Sequence, residues 1–280
     1  MIRLLLISVF FTTANCSAQN RFFNVMAGGT HYSGDLGNAG IPKLIYPAGG
    51  IGFGTELNNK MLINANLFYG KMGGHDKFNT KTKERNLSFY SHIAEFSIQF
   101  EYNLFDLYEH KLSPYFFTGV GLFNYNPYAK VGENIVHLTG LNTEGQGFLE
   151  GRKKYKTTQL SIPIGGGITW AISDNKRISI FSGIRKTFSD YLDDVSTTYV
   201  DYTTLLNAKG GNAVAMAFRG GELGTGAVYP TGGTQRGNPK NKDYYYFTGL
   251  SFRMRMLPPK RRGENNRRFK KGSTACPVVY

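Results

Sequence analysis

The sequence predicts an all-β chain closed into an eight-stranded antiparallel transmembrane barrel of the outer-membrane type. Long extracellular loops stand at one end and a basic C-terminal tail leaves from the other. Three observations carry this prediction. The first is a set of long segments in which apolar and polar residues alternate, the period of a strand that shows two different faces. From Thr157 to Ser173, Leu160, Ile162, Ile164, Ile168, Trp170 and Ile172 take one face, while Gln159, Ser161, Gly165, Gly167 and Thr169 take the other. A soluble strand is typically about 5–6 residues, whereas a tilted strand crossing lipid needs about 9–11. The second is the count: eight such segments, the even number expected of single-chain outer-membrane barrels. The third is the connections, which sort by parity. Those after strands 2, 4 and 6 hold about 3–8 residues, and those after strands 1, 3, 5 and 7 hold about 10, 13, 27 and 52. Short periplasmic turns alternating with long external loops are characteristic of these barrels, and a sandwich has no reason to sort its loops this way.

Composition agrees. The 280 residues include 35 Gly, 18 Tyr and 21 Phe but two Cys. The mean hydropathy of −0.31 is compatible with a barrel, because half of each strand faces a polar lumen. Met1–Phe11, with Arg3 ahead of a short apolar core, followed by Cys16-Ser17-Ala18, reads as an export signal over residues 1–18 with cleavage after Ala18. A second reading makes Cys16 a lipidated first residue, against which stands Asn15 where a small residue is expected. If Cys16 leaves with the signal, Cys276 is the one cysteine of the exported chain. It is then either a free thiol or one half of an intermolecular disulfide.

The barrel is predicted over residues 19–257. Phe23, Val25 and Ala27 open the first strand; Ile51, Phe53, Thr55 and Leu57 mark the outer face of the second. After the turn Asn58-Asn59-Lys60, Met61, Ile63, Ala65, Leu67 and Tyr69 mark the third. The fourth, Leu87–Phe105, sets Phe96, Ile98 and Phe100 outward and Glu95, Ser97, Gln99 and Glu101 inward. Pro114–Tyr125 is the fifth and Thr157–Ser173 the sixth. Ser173–Lys176 is a tight turn into the seventh, with Ile178, Ile180 and Ile184 outward and Ser179, Gly183, Arg185 and Thr187 inward. Asp243–Met256 is the eighth, with Ser251, Arg253 and Arg255 inward. Residues 191–242 between the last two strands read as one long polar, glycine-rich external loop.

Eight strands enclose a lumen just wide enough for side chains to fill. The inward set contains Glu56, Glu95, Glu101, Arg185, Arg253 and Arg255, which predicts a paired charge network, since single charges there are costly. A salt-bridged plug and a gated pore both fit these residues. Residues 258–280 form the tail. Pro258-Pro259 ends the strand ladder. Lys260, Arg261, Arg262, Arg267, Arg268, Lys270 and Lys271 set seven cations against the single acid Glu264. The tail fits a solvated segment or a docking arm for an acidic periplasmic partner or membrane surface, with Cys276 placed to form a disulfide to that partner. Nucleic acid is not an expected partner, because an exported barrel does not meet it; outer-membrane lipid is.

The residues predict no enzyme, cofactor or metal site. His31, His75, His92, His110 and His137 have no metal-ligand spacing. There is no Gly-x-Ser-x-Gly motif, and Gly165-Gly166-Gly167 lies inside a strand rather than before a helix. Ser189, Asp190, Asp193, Asp194 and Ser196 are expected at the outer rim, with no histidine near them in sequence.

The block from Thr187 to Tyr199, TFSDYLDDVSTTY, resembles one that recurs in outer-membrane barrels of Bacteroidota. The stretch from His92-Ile-Ala-Glu95 to Tyr102-Asn-Leu-Phe105 joins it, with Pro114–Gly121, Thr143-Glu-Gly-Gln-Gly147 and Leu160–Gly167. Together they resemble the PorG family of the type IX secretion system over residues 20–256. The resemblance implies a non-enzymatic outer-membrane barrel that associates with a periplasmic ring of the PorK/PorN type, in a machine that exports gliding adhesins and proteases. The tail lies beyond the matching blocks. An independent small barrel for solute passage, or for surface binding through its long loops, is the alternative.

Overall fold

The computed structural model describes residues 20–37 and 44–256. The expected export signal, the tail with its seven cations, Cys16 and Cys276 lie outside the described residues.

Nine strands form one antiparallel sheet: β1 (Arg21–Ser33), β2 (Tyr46–Asn58), β3 (Met61–His75), β4 (Ser88–Asn103), β5 (Leu112–Val131), β6 (Asn134–His137), β7 (Thr158–Ser173), β8 (Lys176–Thr187) and β9 (Tyr244–Met256). Eight of them close into a barrel. The order β4-β3-β2-β1-β9-β8-β7-β5 returns on itself through β4–β5 pairing, and β6 is a short flap on the far end of β5. The seam joins first strand to last over thirteen pairs, from Arg21↔Met256 to Ser33↔Tyr244. Closure leaves no strand edge open around the wall, the condition for crossing lipid with sheet.

The faces sort as the two-residue period demands. Outward stand Ile51, Phe53, Leu67, Phe96, Ile98, Val120, Leu122, Ile164, Ile180 and Leu250, all exposed. An apolar belt of this extent on every wall has no stable contact with water; it is the lipid-facing band of an outer-membrane-type barrel. Trp170, 54% exposed, and Leu112 pair near its lower edge. Inward, large side chains need room opposite them. The ring of Phe117 lies against Gly165 and Gly183, where an added Cβ would sit 2.6 and 2.5 Å from its tip. Two glycines on adjacent strands thus seat one aromatic.

The tight turns at Asn59-Lys60 and Asp174-Asn175, the connector 104–111, Arg21 and Met256 share one end. All the long connections share the other, and there the fold departs from the sequence reading. β5 runs to Val131, well past Tyr125, and turns back through β6 as a hairpin standing above the belt. The stretch 191–242 is built rather than open. It holds α1 (Tyr202–Lys209), capped by Asp201, α2 (Gly211–Ala217) and a 3-10 turn at Gly220–Leu223. Val200, Leu205, Ala213, Val214 and Ala217 pack there with Leu141, Phe148 and Tyr229. A second apolar cluster runs from lumen Phe68, Phe117, Phe181 and Phe247 up to Leu36, Leu138, Leu192, Val195 and Met216 of the loops. The loops are therefore a lid continuous with the lumen's filling.

Candidate functional site

Three carboxylate–arginine pairs fill the lumen in tiers. Nearest the tight turns, Arg177 Nη2 meets Glu56 Oε1 at 2.7 Å. Tyr108 from the connector and Asn20 donate to Glu56 Oε2 at 2.6 and 2.7 Å, and the Arg177 guanidinium lies over the Phe22 ring at 4.6 Å. In the next tier Arg253 makes two bonds to Glu101, at 2.9 and 2.8 Å, and Asn64 adds a third at 3.1 Å. This is the parallel fork that favours arginine over lysine. Above them Arg185 lies 3.7 Å from Glu95, which also accepts from Tyr245. Phe68 and Phe247 flank that guanidinium.

Four of the six residues expected in the lumen network thus form two of its pairs. The third pair differs from expectation: Glu56 takes Arg177, a residue outside the expected set. The odd-number parity of Ser179 and Arg185 places residue 177 inward, so the signal was present. Arg255 is a correction. It is half-buried and makes no ion pair among the described residues; it stands opposite Phe22 at the end of the barrel, away from the lumen carboxylates that Arg177 and Arg253 take. Between the tiers the cavity measures about 30 Å³, room for about one or two waters. A lumen this full predicts no stable single-channel conductance when the refolded protein is added to planar bilayers; a reproducible open level would refute the plug.

The lid is held by buried charge. Glu144 is the hub. It accepts from the backbone N–H of Ser196 and Thr197 at 2.9 Å each, from Thr197 Oγ1 at 2.6 Å and from Arg236 at 2.9 Å. Arg236 also donates to the carbonyls of Asp194 and Ala217. Burial works against its charge, but the Glu144 and Asp194 carboxylates override that and hold it protonated. Arg85 clamps Asp76 with two bonds of 2.8 and 2.7 Å and donates to the carbonyls of Arg236 and Asp35.

Asp190, Asp193, Asp194 and Ser196 form part of this lid instead of an accessible rim; Asp193 and Asp194 are fully buried. The Tyr32 hydroxyl stands 2.6 Å from Asp193 Oδ2 and 2.9 Å from Asp243 Oδ1. One hydroxyl carries one proton and donates to one acid at a time; backbone N–H groups supply the other bonds, from Leu36 and Val195 to Asp193 and from Leu192 to Asp243. Burial pushes both acids well up, with the Asp35 charge adding to it at Asp193 and the Asp193 charge at Asp243. Burial likewise raises Asp194 to about 7 and Asp190 to about 6. Thr143 and Tyr155 donate to Asp194, at 2.6 and 2.7 Å, and Ser196 donates to Asp190 at 2.5 Å. The serine hydroxyl is thus engaged as a structural donor, with no imidazole to accept its proton.

Among solved structures the chain is similar to Neisserial surface protein A (10% identity, TM-score 0.41, covering 84% of this chain and 97% of that one). It is also similar to a major outer membrane protein from Thermus thermophilus (12%, TM-score 0.40, 84% and 99%). A third is Ail, the attachment invasion locus protein of Yersinia pestis (9%, TM-score 0.39, 84% and 99%). No curated protein matches the chain. One family model does, over residues 2–215, and with three-quarters of its length matched the chain belongs to that family, the domain of unknown function DUF6089.

Proposed function

We propose that this protein is a non-enzymatic outer-membrane component of the type IX secretion system, holding a periplasmic ring of the PorK/PorN type to the membrane. The apolar belt supports an outer-membrane location, since strands cross lipid there as closed barrels. One observation carries the anchoring role: the lumen between the arginine tiers leaves a cavity of about 30 Å³, and the first and last strands end together beside the tight turns. A barrel with so filled a lumen, whose seam strands begin at Arg21 and end at Met256 on one side, is suited to holding something at that side. The tail, with Lys260, Arg261, Arg262, Arg267, Arg268, Lys270, Lys271 and Cys276, supplies charge and a thiol for the purpose. The resemblance to the PorG family supplies the partner.

Deleting residues 260–280 tests this. The barrel is expected to insert normally, because Met256 already completes the seam, while ring proteins are lost from detergent pull-downs and secretion falls. Unchanged ring recovery would sink the tail's role. Cys276→Ser, compared with and without reductant, shows whether any link is covalent.

The folded lid favours a second reading, surface binding. Tyr202, Leu206 and Leu223 are exposed on it and Val228 is 82% exposed, a surface more ordered than an anchor needs. Solute passage has no support in a cavity of about 30 Å³.

A further inference from the structure

Above the apolar belt, one sector of the outer wall carries a cluster that neither the plug nor the lid uses. Leu67, Phe96 and Leu122 lie side by side at the top of the belt. Two residues higher come Tyr69, Ala94 and Asn124; two higher again come Lys71, His92 and Asn126. That places Lys71 about 13 Å along the strand from Leu67, at headgroup height. Tyr90 and Tyr128 pair in the next row, and His137 of β6 pairs with Tyr128.

The rings and cations are locked together. The Lys71 ammonium sits 4.7 Å from the Tyr90 centroid and 5.3 Å from that of Tyr46; the Lys130 ammonium lies 5.7 Å from the same Tyr90 ring. The Tyr69 hydroxyl bonds His92 Nδ1 at 3.0 Å, and the Tyr69 and Tyr128 rings stack on the imidazole. Tyr90 packs on Tyr46 and Tyr128. Neither lysine forms an ion pair among the described residues, including with Glu133 in the nearby hairpin turn. An ordinary interfacial girdle needs aromatic bodies and snorkelling stems. Two ammonium groups within about 6 Å of one ring centroid, with no carboxylate paired to them among the described residues, concentrate positive charge that an anion can meet. Lys186 on β8 is also exposed at this end, but no ring lies under it among the described residues.

We propose that Lys71 and Lys130, oriented by Tyr46, Tyr90 and Tyr128 and flanked by His92, bind the phosphate of a phosphorylated glycolipid headgroup in the outer leaflet. The position directly above the belt selects lipid over a free anion, since the acyl chains then lie along Leu67, Phe96 and Leu122. This rests on the outer-membrane reading with the lid facing outward.

The test uses the full exported chain refolded in phosphatidylcholine vesicles, with diphosphorylated lipid A, fully dephosphorylated lipid A or inorganic phosphate added. The readout is the midpoint of heat-induced loss of the folded form on unheated gels. Diphosphorylated lipid A is expected to raise the midpoint of the wild type. The K71Q/K130Q pair should need about ten-fold or more lipid for the same rise, while K71R/K130R and K186Q respond like wild type. If the double glutamine variant does not insert, K71Q and K130Q singly carry the comparison, each expected to weaken the response. An equal rise in the glutamine variants, no rise in the wild type, an equal rise with dephosphorylated lipid, or the same protection by inorganic phosphate would each overturn the site. Orientation is read separately. Val228→Cys in a Cys276→Ser chain is expected to react with an impermeant maleimide on intact cells. Protection of that thiol beside a normal lipid A response would overturn the orientation and leave the phosphate chemistry standing.

Discussion

Arg253→Ala should destabilise the barrel by about 3–5 kcal/mol, the largest single-residue effect expected in the lumen. The substitution leaves Glu101 buried without its arginine, with Asn64 at 3.1 Å and Asn103 at 3.4 Å as its remaining donors. Neutral amides cannot replace a charge-assisted fork. Removing both charges is a different matter, because the desolvation of Glu101 disappears with its partner. Glu101→Leu with Arg253→Met is therefore expected to recover more than half of the loss. The two singles, the double and the wild type form a cycle whose coupling term isolates the pair. Urea unfolding in detergent micelles, followed by Trp170 emission and gel mobility, reads all four. A loss under about 1 kcal/mol for Arg253→Ala would mean that water reaches Glu101 and the lumen is not closed at that tier.

The second large effect is on pH. Asp194 titrates at about 7 in the folded lid against its ordinary 3.8, so its folded value is raised. A raised carboxyl contributes stability that is present in full below the unfolded value and is lost as pH rises through the folded one. Across that interval Asp194 accounts for about 4 kcal/mol. Asp190, at about 6, acts in the same direction over a lower range. The lid is therefore expected to hold most tightly near pH 4, to loosen progressively as pH rises from about 4 to about 7 and to level off above that, while the lipid-embedded wall stays intact. Protease cleavage within residues 191–242, followed from about pH 4 to 8.5 in micelles with an acid-tolerant and a neutral protease, measures it. Asp194→Asn should flatten the profile. Its φ of +65° is one that asparagine tolerates, and the amide stays neutral. A lid equally resistant at both ends of the range would show that buried Arg236 and Arg85 already neutralise the cluster.

The wall was the legible part of this molecule. Period-two patterning places Glu95, Glu101, Arg185 and Arg253 inward and the belt outward because lipid imposes one solvent on one face over the full height of each strand. Legibility ends where that constraint ends. Above the belt Pro127, Tyr128, Ala129 and Lys130 no longer alternate by polarity, so the upper half of β5 and its β6 flap left no signal. The helices of the lid are seven and eight residues long and abut at Gly210-Gly211, a stretch whose composition reads as coil. Glu144 and Arg236 stand 92 residues apart, and no local spacing announces such a pair. Asp193 and Asp194 looked like rim residues because acidic loops usually face water; here the loops supply enough apolar side chains to bury them.

The seam between β1 and β9 has a consequence for how the molecule comes into being. Every other neighbour in the wall is a strand made shortly before or after, but this ladder joins residues separated by nearly the whole described chain, Arg21 with Met256. Until the final strand emerges, the sheet is an open ribbon with two unpaired margins and a greasy face. Such an open ribbon would expose unpaired backbone to lipid and apolar side chains to water, and closing it carries the largest loop-closure cost of any ladder in the wall. Sealing of the wall therefore has to wait for the last strand, whatever order the other ladders form in.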